Sequence, residues 1–128
     1  MLHLAEMHAQ GEPVQIRKVA SEHDIPWRFL VQILLELKRA GLVASTRGAA
    51  GGYRLARPPE EISLSEVMQV LEGQDLPRDP MVTQDGLRGT LHAVCQEAYQ
   101  AQQEALANVT LDTIVRRASE HREPMWYI

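Results

Sequence analysis

Apolar residues recur at three- and four-residue spacing between Trp27 and Ala40, which is the period of an amphipathic helix. Gly41 then supplies a typical helix C-terminus, and Lys38 and Arg39 place positive charge in the last turn. The pattern therefore predicts a helix with one buried stripe, formed by Phe29, Leu30, Ile33, Leu34 and Leu37.

The segment from Leu42 to Glu61, LVASTRGAAGGYRLARPPEE, has the form of a β-hairpin. Leu42-Val43 and Tyr53-Arg54-Leu55 predict its two strands, and Arg47 stands just before the tip. A turn between them needs permissive backbone, which is supplied by Gly48, Gly51 and Gly52. A helix followed by a basic hairpin is the arrangement of a winged helix-turn-helix, so we predict a mainly α fold with a small β wing.

Two short helices are predicted ahead of this unit, over Leu2–Gln10 and Ile16–His23. The second is expected to point Ile16, Val19 and Ala20 toward the core. Asp24 is a predicted N-cap for the helix that follows the turn, and Pro26 is tolerated in a first helical turn.

Beyond the hairpin, Ser63 and Glu66 form a capping-box pattern that predicts a helix from Leu64 to Leu71. Its apolar positions are Val67, Met68, Val70 and Leu71. Gln74–Asp85 has two prolines and no periodicity and is predicted to be a loop. Thr110, with Thr113 in place of an acidic residue, predicts the start of a final helix, and the apolar tail 124–128 is expected to dock.

A long helix is predicted between Leu87 and Asn108. Its apolar residues follow a heptad pattern, which is typical of two helices packed along their length. The pattern comprises Leu87, Leu91, Val94, Ala98, Ala101 and Ala105. The alternative is that this seam packs on the chain's own core. We favour a dimer, and divide the chain into a winged domain (1–73), a loop (74–85) and a dimerisation arm (86–128).

Composition agrees with a globular protein of 128 residues, of which 45% are hydrophobic. No apolar run approaches the length that spans a membrane, and the start at Met1 does not resemble a secretory signal. The single cysteine, Cys95, excludes an intramolecular disulfide and fits a reducing cytoplasm.

The net charge of −4 is unevenly distributed. Residues 1–58 hold eight Lys/Arg against five acidic residues, a balance of +3, whereas residues 59–128 hold five against twelve, a balance of −7. Such asymmetry allows one face to meet a phosphate backbone while the other stays away from it, although +3 alone is compatible with ordinary surface charge.

From Pro13 to Gly73 the chain resembles the Rrf2 family of bacterial winged-helix transcription regulators. The resemblance rests on KVASEHDIPWRFLVQILLELKRAGLV and STRGAAGGYRLARPPEEISLSEVMQVLEG. It implies a homodimer on pseudo-palindromic double-stranded DNA. Family members begin about a dozen residues earlier, with a basic segment that touches phosphate. The chain is therefore truncated, mis-started or naturally short at Met1, which leaves its DNA affinity, but not its fold, open.

Many members of that family bind an iron–sulfur cluster through three cysteines and a fourth ligand. The predicted loop Gln74–Asp85 contains no cysteine, and Cys95 lies further along, where relatives often carry an aromatic residue. His92 stands where some relatives have a histidine ligand. Because clusters need thiolate-rich ligation, we expect no cofactor, with Cys95 half-buried and His92 solvated.

The predicted reading face is the exposed side of the helix start, at Trp27, Arg28, Val31 and Gln32. Arg28 could pair with guanine and Gln32 with adenine, and Val31 replaces an acidic residue that some relatives use. Arg47 is the predicted minor-groove probe, and Gly48, Gly51 and Gly52 are expected to let backbone approach phosphate. Further predicted phosphate contacts are Lys38, Arg39 and Arg54.

Two other functions remain open at this stage. One is an iron–sulfur, metal or redox sensor with unusual ligands, for which His92 and Cys95 are the candidates. The other is a winged helix that only binds proteins. An enzyme is not predicted, because the GAAGG cluster lies between two strands and lacks the GK[ST] ending of a phosphate loop.

Overall fold

The computed structural model describes residues 1–72 and 86–122. The predicted loop Gln74–Asp85 and the predicted docking tail 124–128 lie outside the described residues. Six helices and one β-hairpin are described, with short 3₁₀ turns at His8–Gln10 and Pro59–Glu61. In chain order they are α1 (Leu2–Met7), α2 (Ile16–Glu22), α3 (Trp27–Arg39), β1 (Val43–Thr46), β2 (Gly52–Leu55), α4 (Leu64–Glu72), α5 (Gly86–Ala107) and α6 (Leu111–Arg122).

The hairpin is antiparallel, with Val43 opposite Leu55 and Thr46 opposite Gly52. A further bridge joins Val14, just before α2, to Tyr53 through two backbone hydrogen bonds of 2.8 Å. Since a two-stranded hairpin is marginal by itself, this third segment and the burial of Val43 and Leu55 anchor the wing to the helices. The predicted mainly α fold with a small β wing is confirmed.

One core holds the helices and the wing together. The α3 stripe contributes Leu30, Leu34 and Leu37, while Ile33 is half-buried. The prediction for Phe29 is wrong, because its side chain is 59% exposed. With about 3.6 residues per turn, Phe29 falls outside the narrow arc that faces the core. The remaining buried apolar residues are Leu4, Ala5, Val14, Leu42, Val43, Leu55, Ile62, Val67 and Leu111.

The capping residues predicted for α4 and α6 are found in the structure, whereas the one predicted for α3 is not. At α4, Ser63 Oγ accepts from the Glu66 backbone N–H at 3.2 Å, and Glu66 Oε2 accepts from the Ser63 N–H at 3.3 Å, so the capping box is confirmed. At α6, Thr110 Oγ1 accepts from the Thr113 N–H at 3.2 Å. The predicted Asp24 cap is wrong: Pro26 occupies the N-cap position of α3, and Asp24 takes a left-handed φ of 51° within the turn.

The starts of α4 and α6 are themselves paired. Ser63 and Thr110 form an antiparallel bridge, in which the Leu64 N–H donates to Val109 O at 2.8 Å and the Leu111 N–H donates to Ile62 O at 3.0 Å. Leu111 and Ile62 are both completely buried in the common core. Helix α6, which belongs to the predicted dimerisation arm, thus packs in the core of the winged domain.

Helix α5 packs on α4 through its less exposed face, where Gln69 Nε2 donates to Gln103 Oε1 at 3.3 Å. Gly89 is buried on this face and the other positions are half-buried. Its members recur at alternating three- and four-residue spacing: Gly89, His92, Gln96, Tyr99, Gln103 and Leu106. The helix thus turns a mainly polar face toward its own chain.

Candidate nucleic-acid interface

An open groove of about 460 Å³ separates the starts of α2 and α3 from the wing. Arg17 enters it from α2, Trp27 from α3 and Arg47 from the wing. Two arginines and no carboxylate are among the described residues that line it. Because phosphate contacts position a protein on DNA through basic side chains and backbone N–H groups, this groove has the charge that a nucleic-acid backbone requires.

Arg17 and Trp27 are stacked, with the guanidinium carbon 5.5 Å from the ring centroid. This cation–π contact holds the Arg17 charge beside the first residue of α3. Gln15 adds a link to the wing, because its Nε2 donates to Ala49 O at 3.5 Å. The sequence reasoning missed Arg17 and Gln15, because neither belongs to a motif and the pairing of Arg17 with Trp27, ten residues further on, appears only in the structure.

The predicted reading residues lie on the outward side of α3. Trp27, Arg28 and Gln32 are exposed and Val31 is half-buried. Trp27 lines the groove beside the wing, whereas Gln32 lies further around the helix, beside Leu71 of α4. The structure thus spreads these four residues across the exposed start of the helix and does not gather them at one point.

The predicted phosphate contacts are dispersed as well. Lys38 is exposed at the end of α3, where its Nζ donates to Ser45 Oγ on β1 at 2.7 Å, and Arg39 is exposed beside it. With a rise of about 1.5 Å per residue, this end of α3 is roughly 16 Å from Trp27. Arg54 lines another concavity, next to Leu4 of α1, and does not share the groove with Arg47.

Different structural constraints require glycine at the three positions in the wing. Gly48 is exposed and has a φ of +109°, a conformation that side chains rarely adopt. Gly51 is buried, and a Cβ there would collide with Thr46 O. A Cβ at Gly52 would likewise collide with Val14 O, beside the bridge that anchors the wing. Contacts within the protein thus explain Gly51 and Gly52, whereas an approach of either to phosphate stays a prediction.

The heptad seam of α5 points away from the chain's own core. Leu87, Leu91 and Val94 are 91%, 63% and 55% exposed, and Ala98, Ala101 and Ala105 are exposed as well. The seam and the face packed on α4 are offset by roughly 150° around the helix. The alternative in which the seam packs on its own core does not hold for the described residues. The surface left open is aliphatic and about as long as the helix.

Two expectations about α5 are wrong. Cys95 is exposed rather than half-buried, because it lies between the seam and the inner face. His92 is half-buried on the inner face rather than solvated. Among residues 1–72 and 86–122, neither side chain belongs to a group of three metal-ligating residues; the group that is found consists of His3, Glu22 and His23.

Comparison with known proteins identifies the family. Its profile, described as an iron-dependent transcriptional regulator, matches residues 1–117. The chain belongs to the Rrf2 family. The prediction of a regulator rather than an enzyme is confirmed by this match. Within the described ranges, the structure contains no helix long and apolar enough to cross a membrane.

Individual Rrf2 relatives agree with this assignment. The transcriptional regulator CymR of Bacillus subtilis is 30% identical over 129 residues, covering 100% of this chain and 91% of that protein. The regulator IscR of Cereibacter sphaeroides is 46% identical over 62 residues, but the match covers 48% of this chain and 40% of IscR.

Solved structures of the Rrf2 family show the same fold. IscR of T. potens superposes with a TM-score of 0.81 at 29% identity, covering 98% of this chain and 85% of that one. CymR of B. subtilis, whose structure is titled as that of the global cysteine regulator, gives a TM-score of 0.75 at 29% identity, with coverage of 91% and 87%. The chain thus shares the fold of these winged-helix structures over nearly its whole length.

Proposed function

We propose that this Rrf2 protein is a homodimeric, sequence-specific DNA-binding transcription regulator that uses no iron–sulfur cluster. The observation that carries the proposal is the groove between α3 and the wing, which holds Arg17 and Arg47 and has no carboxylate among its described lining residues. The start of α3 would enter the major groove, as the second helix of a helix-turn-helix does, and the wing would lie beside it.

Base reading falls to the exposed start of α3. Arg28 has the donors to bind guanine at two points, and Gln32 has the amide to do the same with adenine. A good pairing of either kind discriminates against the wrong base by about 1–3 kcal/mol. Val31 offers only apolar contact, which suits a thymine methyl group. Arg47 at the exposed wing would enter the minor groove, most favourably in a narrow A·T tract.

Positioning on the backbone falls to a wider set of cations. Arg17 joins the predicted contacts because its guanidinium is held over Trp27, at the edge of the reading face. Lys38, Arg39 and Arg54 are exposed but lie outside the groove, so we assign them weaker roles along flanking phosphates. Such contacts fix the register of the protein without specifying sequence.

The homodimer is supported by the outward seam of α5. A single chain leaves Leu87, Leu91 and Val94 in water, and contiguous exposed apolar surface of this kind marks interaction sites. The heptad spacing suits a second copy of the same helix, and the alanines toward its C-terminal end permit close approach. Two copies would present two reading helices to one duplex, as half-site recognition requires.

The residues present do not fit an iron–sulfur cluster. Such clusters are held by four side chains that are mostly cysteine thiolates. The sequence has one cysteine, Cys95, which is exposed on α5. A dimer would therefore offer two thiolates, one from each copy. A sensor built on His92 and Cys95 gains no support from the described residues, since no third ligand lies with them.

DNA binding can be tested by fluorescence anisotropy with a labelled duplex from the region upstream of the chain's own gene, against a scrambled duplex of equal length. Wild-type protein is expected to prefer the first duplex and to lose affinity steeply with salt. Arg28→Ala should lower the preference about tenfold, whereas Arg47→Ala should also reduce the salt slope by about one.

Arg117→Ala is the matched control, because it removes an exposed arginine on α6. Its binding should equal that of the wild type. Absence of salt-sensitive binding by the wild type would refute the proposal. If the Arg47→Ala protein kept its full regulatory activity, that result would instead favour a winged helix that binds only proteins.

A further inference from the structure

Three metal-ligating side chains converge where α1 meets the end of α2. His3 Nδ1 lies 3.0 Å from His23 Nε2 and 3.5 Å from Glu22 Oε2, and the three ligand atoms all fall within 4.8 Å of one another. His3 comes from α1, whereas Glu22 and His23 are the last residue and the C-cap of α2. The cluster therefore joins residues 19 or more positions apart in the sequence.

The His3 ring is held in place by packing. Its side chain is 11% exposed, and its ring stands at 88° to that of His23 with centroids 5.2 Å apart. The other ring nitrogen, Nε2, is buried and has no hydrogen-bond partner among the described residues. The imidazole thus interacts through Nδ1, which faces the other two groups.

The two distances from His3 Nδ1 match the spacing of ligands around one small cation, and the third pair lies within 4.8 Å. Zn²⁺ binds His nitrogens at about 2.0–2.1 Å in tetrahedral geometry, which places neighbouring ligand atoms about 3.3 Å apart. The two distances from His3 Nδ1, 3.0 and 3.5 Å, lie on either side of that value. Two His and one carboxylate is also a donor set that zinc sites use, with a fourth position left for water.

We propose that His3, Glu22 and His23 bind a divalent transition-metal ion, and that Zn²⁺ is the ion this site favours. Two histidines with one carboxylate also suit Fe²⁺, but sites of mixed nitrogen and oxygen ligands generally bind Zn²⁺ more tightly than Fe²⁺, and Cu²⁺ prefers tetragonal rather than tetrahedral geometry. The site uses neither Cys95 nor His92, and it does not depend on the proposed DNA-binding function.

A bound ion would tie the N-terminal helix to the helix-turn-helix. His23 shares a turn with Asp24, which takes a left-handed φ of 51°, and α3 begins three residues later at Trp27. Without metal, His3 is linked to Glu22 and His23 by ring packing, one short polar contact and a partly exposed ion pair, which contribute little to stability. Coordination would add a cross-link between α1 and α2, so metal binding should raise thermal stability.

The experiment uses the full chain, stripped of metal by a chelator and titrated with Zn²⁺ by calorimetry and by thermal unfolding. One Zn²⁺ per chain is expected, and the melting temperature should rise by roughly 5–10 °C when Zn²⁺ is about a hundredfold above its Kd. His23→Gln and Glu22→Gln each remove one ligand at an exposed position. Each should weaken Zn²⁺ binding at least tenfold, roughly the lower limit seen when even supporting groups around metal ligands are removed.

Two controls separate this site from adventitious binding. His8→Gln removes an exposed histidine near the same helix, and Cys95→Ser removes the thiol. Both should bind Zn²⁺ as the wild type does. Failure of the wild type to bind Zn²⁺, binding that survives His23→Gln, or binding lost in either control would overturn the proposal. Anaerobic Fe²⁺ is a separate arm, in which tighter binding than Zn²⁺ would overturn the zinc assignment.

Discussion

At the scale of single residues, two glycines of the wing show how one residue type serves two physical ends. Gly48 has a positive φ but no protein atom near the position of a Cβ, so only its backbone conformation requires glycine. Gly51 has no such φ, yet a Cβ on this residue would collide with Thr46 O, so no side chain fits. Glycine is required at residue 48 by the backbone torsion angle and at residue 51 by the lack of room for a Cβ.

Gly51→Ala is therefore expected to destabilise the protein more than Gly48→Ala. The added methyl group at residue 51 meets backbone, which cannot move aside as a side chain can, so we expect a loss of about 3 kcal/mol in the free energy of unfolding. Gly48→Ala should cost roughly 1–2 kcal/mol through its torsion alone. Urea unfolding of the two variants measures the difference, and an equal loss in both would contradict it.

The roles and burial of single residues were the hardest features to predict from the sequence. Arg47 could be found because it precedes a glycine-rich turn, whereas Arg17 belongs to no motif and became visible only through its stacking on Trp27. Phe29 fits the helical period of the buried stripe but lies at its edge in three dimensions. Spacing along a chain specifies a direction around a helix, but not how wide the covered arc is.

At the scale of elements, local signals were mostly sufficient. The capping box at Ser63 and Glu66 predicted the start of α4, and Glu66 also accepts from Arg57 Nη2 at 2.7 Å. The inner face of α5 was harder to predict. This face carries Gly89, Gln96 and Gln103 rather than aliphatic residues. A search for apolar residues at helical spacing therefore selects the opposite face of the helix.

Ser63→Ala should lower the free energy of unfolding by about 1 kcal/mol, because the backbone N–H of Glu66 loses the oxygen that caps it. For a chain of this length the loss corresponds to about 4 °C in melting temperature. Ser21→Ala, an exposed site inside α2, provides the control and should leave the melting temperature unchanged. A loss as large in the control would show that the effect is not one of capping.

At the scale of the whole molecule, charge is divided between the two parts of the chain, and the most exposed aliphatic side chains lie on α5. The positive balance of residues 1–58 accompanies the groove beside the wing, and the negative balance of residues 59–128 accompanies the aliphatic seam on α5. This division keeps acidic groups largely outside the proposed DNA-binding half, while the uncharged seam permits two copies to approach.

Leu91→Glu is expected to convert the proposed dimer into a folded monomer. The new carboxylates would face each other across the seam, where burying them costs far more than the lost aliphatic contact. Because Leu91 is 63% exposed within one chain, the fold of the monomer should persist. Light scattering after gel filtration gives the mass, and circular dichroism gives the helix content.

Ala93→Glu is the matched control, since it adds the same charge to an exposed position of α5 outside the seam. That variant should keep the mass of the wild type. A wild-type protein that is monomeric at micromolar concentration, or a Leu91→Glu protein that stays dimeric, would count against the seam as the interface.

The bridge between Ser63 and Thr110 has a consequence for dissecting the protein. Leu111 fills the centre of the same core that carries the wing, so a fragment that stops before Thr110 would leave a cavity beside Ile62 and would remove the Leu111 N–H that donates to Ile62 O. An N-terminal fragment that lacks α6 is therefore not expected to fold as an isolated DNA-binding domain. Helix α6 supplies Leu111 to the core that the helices and the wing of the first 72 residues share.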